Sequence, residues 1–104
     1  MLCRHLAEVD AADQAGFTPL HIAAQYGHYE VVAGLEDHGC DLGLKTLAKG
    51  YTGLHSAVAR GHTEVVALFI ELGAPLAETS HAGETALHLA ARKNRVGIIE
   101  LLGR

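Results

Sequence analysis

A four-residue phrase recurs along this chain: Thr18-Pro19-Leu20-His21, then Thr52-Gly53-Leu54-His55, then Thr85-Ala86-Leu87-His88, at spacings of 34 and 33 residues. Self-similarity at that period points away from one closed globule. It predicts supersecondary units stacked in a row, each burying an apolar face that it could not bury alone.

Each phrase reads as a helix start. A threonine hydroxyl accepts from the free N–H groups of a first helical turn, and Pro19 falls at the first helical position, where a missing N–H removes no bond. The histidine three residues after the threonine takes the place that a capping box gives to Glu or Gln, so His21, His55 and His88 are expected to reach back as struts. Small residues follow (Ala23-Ala24, Ala57-Val58, Ala90-Ala91), then Gly27, Gly61 or Asn94, types that tolerate the left-handed backbone closing a helix. A first helix of about two turns is predicted. A second amphipathic run comes next each time, from Glu30-Val31-Val32 to Leu35, from Glu64-Val65-Val66 to Phe69, and from Ile98-Ile99 to Leu102. Gly39 and Gly73 stop the first two of these runs, and turn-rich segments lead on to Gly16, Gly50 or Gly83 before the phrases.

The set Thr18-Pro19-Leu20-His21, Ala23-Ala24, Gly27-His28, Glu30-Val31-Val32 and Gly39 resembles the ankyrin repeat, and the later copies can be placed on it without gaps. The resemblance implies an all-α solenoid of helix-turn-helix units with short hairpin-like loops, and a concave face used for protein recognition. On that reading residues 1–104 form a single domain: 1–12 a remnant of an upstream repeat, 13–45 repeat one, 46–79 repeat two and 80–104 a truncated repeat three. The loop from Gly39 to Gly50 is one residue longer than its counterpart from Gly73 to Gly83, with Lys45 and Lys49 expected to project from it. Ile98, Ile99, Leu101 and Leu102 have no following repeat in this sequence to cover them, which also allows head-to-tail self-association through uncapped ends, or an excised or engineered fragment without a function of its own.

Composition excludes other classes. The net charge of −4 disfavours nonspecific nucleic-acid binding, but it is unevenly placed: residues 1–41 carry seven acids against Arg4 alone, and residues 42–104 carry five acids against seven bases. The longest apolar run, Val65 to Ile70, is far short of the ~20 residues that span a membrane, so no membrane partner is expected, and the expected setting is cytoplasmic or nuclear. Cys3 and Cys40 form no disulfide framework and are expected as free thiols. Of eight histidines, five recur with the repeat, and the others show no spacing that closes a tetrahedral site, so neither metal nor cofactor is predicted. No phosphate loop, metalloprotease motif or activated nucleophile occurs, which predicts a protein that is not an enzyme.

Function should reside in positions that the repeat leaves free. Next to the loop glycines and along the first helices these include Phe17, Ile22, Gln25, Tyr26, Lys49, Tyr51, Arg60, Glu84, Arg92 and Lys93, which the resemblance places on the concave side. Phe17, Tyr26 and Tyr51 are three of five aromatics, and aromatic and Arg side chains dominate interface hot spots. They are expected as partner-binding anchors, with Lys49, Arg60, Arg92 and Lys93 favouring an acidic segment. Thr18, His21, Thr52, His55, Thr85 and His88 are assigned structural roles.

Overall fold

Three helical hairpins follow one another along the chain. The computed structural model describes residues 10–103, and the proposed upstream remnant lies almost wholly outside them. The helices are α1 (Pro19–Gln25), α2 (Tyr29–Asp37), α3 (Gly53–Arg60), α4 (Thr63–Glu71), α5 (Ala86–Arg92) and α6 (Val96–Leu102), with no strand among the described residues. The first helices of the hairpins, α1, α3 and α5, pack side by side as one layer, and α2, α4 and α6 form the second. The resemblance's helix-turn-helix stack is therefore what the chain builds.

The capping boxes form in all three hairpins. The hydroxyls of Thr18, Thr52 and Thr85 accept from the backbone N–H of His21, His55 and His88, while each imidazole accepts the threonine's own N–H. Gly27 (φ 73°), Gly61 (φ 77°) and Asn94 (φ 60°) hold the left-handed backbone after the first helices, as their residue types predict. At two of them the absent side chain also makes room. A Cβ on Gly27 would come 2.7 Å from the His62 ring, and one on Gly61 would come 3.0 Å from the Arg95 guanidinium. His62 and Arg95 stand at the same place in successive hairpins, and each reaches back to the previous one: His62 Nε2 donates to the Gln25 carbonyl at 2.9 Å, Arg95 Nη2 to that of Ala59 at 2.8 Å.

The core runs continuously within and between the hairpins. Phe69, Leu54, Leu89, Ile98, Val32, Val58, Val65 and Val66 are fully buried, and each large apolar side chain so placed contributes about 1.5–3 kcal/mol. The small residues Ala23-Ala24 and Ala57-Val58 after the first two phrases are buried too, as is Ala90 after the third, which lets the first helices approach closely.

Candidate functional site

The loops before each phrase fold into fingers closed by one repeated device. The finger's first residue donates its N–H to the carbonyl of the residue before the threonine: Asp13 to Phe17 at 3.0 Å, Thr46 to Tyr51 at 2.9 Å and Ser80 to Glu84 at 2.8 Å. The same residue's side chain turns inward. Asp13 Oδ1 accepts from Ala15 and Phe17, Thr46 Oγ1 from Tyr51, and Ser80 Oγ from Ala82 and Glu84. Thr46 thus does for the second finger what Asp13 does for the first, and the extra residue of the longer loop is taken up in the tip between Thr46 and Tyr51. The fingers are also joined to each other, Leu47 N–H to the Ala15 carbonyl at 3.0 Å and His81 N–H to that of Lys49 at 2.9 Å.

The strut histidines tie fingers to helices. Because Nδ1 of His21 accepts the Thr18 N–H at 3.0 Å, the ring proton is on Nε2, which donates to the carbonyls of Leu44 at 2.8 Å and Tyr51 at 3.0 Å in the next loop. His55 repeats this, donating from Nε2 to the Glu84 carbonyl at 3.0 Å. Both rings are buried, and burial lowers their pKa below the ordinary 6.5 against the opposing pull of these carbonyls. A strut was legible in the sequence; its inter-hairpin bond was not, because its acceptors lie 23 to 30 residues away.

The aromatics expected as anchors rest on these struts. Phe17 meets His21 edge-on with centroids 5.9 Å apart, and Tyr51 stacks on His55 at 5.4 Å and 16°. Both remain half-exposed. Lys49 lies over the Tyr51 ring at 5.5 Å, and Arg60 over the exposed Tyr26 ring at 5.9 Å. A cleft of about 450 Å³ brings together Phe17, Gln25, Lys49, Tyr51, Arg60 and Lys93, and a neighbouring one of about 430 Å³ continues past Lys49 and Tyr51 to Glu84 and Arg92. Eight of the ten expected residues therefore line these two adjoining clefts between fingers and first helices, and Tyr26 stands beside them through its contact with Arg60.

Three expectations change. Ile22 does not line the groove; it lines an apolar cleft at the first hairpin's outer end with Phe17, Pro19 and Val31, whereas the equivalent Ser56 of the second hairpin lines the groove. Arg92 is not a free cation. Its guanidinium holds Glu84 bidentately, Nε to Oε2 at 2.8 Å and Nη2 to Oε1 at 3.1 Å, which lowers the Glu84 pKa and raises that of Arg92. Lys45 does not project: its ammonium donates to the Thr79 carbonyl at 2.7 Å and pairs with Glu78 at 3.2 Å. Among the described residues, Lys49, Arg60 and Lys93 are the groove cations without a carboxylate partner.

Among the described residues no group of His, Cys, Asp and Glu could hold a metal ion, and no helix is long and apolar enough to cross a membrane. A family model described as ankyrin repeats (many copies) matches residues 44–102, and one described as ankyrin repeats (3 copies) matches residues 1–46. The chain belongs to the ankyrin repeat family. Ankyrin repeats are generally protein–protein interaction modules. No curated protein gives a significant match to this ankyrin chain.

Proposed function

We propose that this ankyrin stack binds a partner protein through the groove, and that the bound segment is acidic with apolar side chains between its carboxylates. The observation that carries this is the charge of the groove. On a chain with net charge −4, its lining presents Lys49, Arg60 and Lys93 unpaired, and its one carboxylate, Glu84, is held by Arg92. Phe17, Tyr26 and Tyr51 supply rigid apolar area between the cations, so a partner would gain burial and charge pairing together.

The finger framework fixes that surface before any partner arrives. Interlocked fingers and strut bonds leave little backbone to order on binding, which keeps the entropic cost low. The test is affinity capture from cells with the wild-type chain beside a Lys49→Glu/Arg60→Glu/Lys93→Glu chain of equal melting temperature, followed by crosslink mapping. Capture of a protein through an acidic segment crosslinked to the groove, lost in the charge-reversed chain, is the expected result. An unchanged captured set, or crosslinks confined to α2, α4 and α6, would overturn the proposal.

A further inference from the structure

One first-helix position is polar in a single repeat. Ser56 takes in the middle hairpin the place that Ile22 and Leu89 take in the others. Leu89 is fully buried and Ser56 is 6 % exposed, so a hydroxyl sits where the next repeat packs a leucine. Burial strips a hydroxyl of its water and is costly unless something bonds it. Ser56 Oγ makes no hydrogen bond to any described residue, yet it is not sealed in, because Ser56 lines the cleft of about 450 Å³ between fingers and first helices. Its unused bonding capacity therefore opens into that cleft.

Three cations share the same cleft. Lys49, Arg60 and Lys93 line it, and none of them has a carboxylate partner among the described residues. Lys49 and Arg60 rest over the Tyr51 and Tyr26 rings, which holds the two charges in place without neutralising them. Phe17 and Tyr51 line the cleft half-exposed while Ser56 is buried, so a group that reaches the hydroxyl passes two aromatic rings. Phe17, Ser56 and Lys93 come from three successive repeats, and the described hairpins wall the cleft by themselves.

We infer that the cleft receives a phosphotyrosine side chain of the bound segment, its ring between Phe17 and Tyr51 and its phosphate between Ser56 Oγ and the three cations. This rests on the acidic-segment reading above and names the residue at the segment's centre. A carboxylate brings one charge and two oxygens, whereas a phosphomonoester brings a charge of about −1.5 to −2 and three acceptor oxygens, which suits three cations and a hydroxyl donor. The buried position of Ser56 calls for a long side chain; a phosphoserine holds its phosphate close to its own backbone and would stop at the rim. A nucleic acid fits less well, since three cations around one cleft, on a chain of net charge −4, offer no track for successive phosphates.

The test is an NMR titration of the isotope-labelled 104-residue chain with phenyl phosphate, which carries the ring and phosphate of phosphotyrosine, beside inorganic phosphate, phenylacetate and an oligoglutamate peptide. Phenyl phosphate is expected to shift the amides of Tyr51 and Ser56 saturably, binding roughly 10-fold more tightly than inorganic phosphate or phenylacetate. Ser56→Ala, in a chain that still melts normally, should weaken phenyl phosphate by about 10-fold. Lys93→Gln, at an exposed position, should weaken it by about 3-fold. Inorganic phosphate binding as tightly would show an adventitious ion only, and phenylacetate binding as tightly would show a general carboxylate site; either overturns the inference, as does unaltered affinity in Ser56→Ala. Shifts from oligoglutamate with none from phenyl phosphate would overturn the phosphotyrosine cleft alone. No shift from either would remove the acidic-segment reading as well.

Discussion

Acidification should loosen this stack through two residues, His21 and His55. Each ring is neutral in the fold, with Nδ1 accepting a backbone N–H, so a second proton would set two donors against each other in a buried site. Around His21 stand Asp13, which favours the charged ring, and the Leu44 and Tyr51 carbonyls; around His55 stand Glu84 and Glu78, which favour charge, and Lys45, which opposes it. Burial outweighs these in both, so the folded pKa lies below the unfolded 6.5. As pH falls through about 6.5 the unfolded chain takes up protons that the folded chain refuses, and stability is lost with falling pH until the lowered folded values are reached. The slope has an upper bound of about 1.4 kcal/mol per pH unit for each site and about 2.7 for the pair, reached only where the unfolded ring is fully protonated and the folded ring fully neutral. That bound is a sizeable share of a total stability of about 5–15 kcal/mol. Glu84 has the opposite sign of ionisation and acts in another window: its lowered pKa gives a stabilisation lost only below the unfolded 4.5. Urea denaturation between about pH 7.5 and about pH 5, the range where histidine linkage operates, measures the slope. His55→Asn should lower stability at neutral pH and roughly halve the slope. A flat unfolding free energy across this range, or an unchanged slope in His55→Asn, would refute the strut assignment.

Other consequences can be measured independently. Leu54→Ala should cost about 2–5 kcal/mol and Leu87→Ala, at the same motif position, about 1 kcal/mol or less by denaturant melts; equal losses would mean that Leu87 is covered. Gly27→Ala combines a left-handed backbone with a Cβ 2.7 Å from the His62 ring, and should destabilise more than Gly73→Ala, where φ is 78° and nothing lies within 4 Å; the backbone alone accounts for about 1–2 kcal/mol. The Cys40 thiol, pushed up to about 11 by burial and by Asp10, Glu36 and Asp41, should react with iodoacetamide near pH 8 roughly 100-fold more slowly than free cysteine when measured in a Cys3→Ser chain. Glu84→Gln frees Arg92, so an oligoglutamate peptide should bind more tightly and with steeper salt dependence, read by fluorescence anisotropy; weaker binding would assign the Glu84–Arg92 pair a purely structural role.

Taken by itself, the sequence determined everything decided within about one helical turn: where each first helix starts, which residue caps it, which residue turns left-handed after it, and which side of the second helix is apolar. These depend on neighbours three or four residues away, and all three copies obeyed them. The ankyrin resemblance pointed to most of the residues that line the groove, with Ile22 the exception. Only the tertiary structure decided what each shared position does. Leu20, Leu54 and Leu87 are identical in sequence and differ in exposure because burial depends on which hairpin comes next. Ile22 and Ser56 share a motif position, yet Ile22 lines the cleft at the first hairpin's outer end and Ser56 the groove. The charges were redistributed for the same kind of reason: Arg92 reaches Glu84 and Lys45 reaches Thr79 across distances of 8 and 34 residues, which stacking brings to within 3 Å and which a local pattern of spacing does not record.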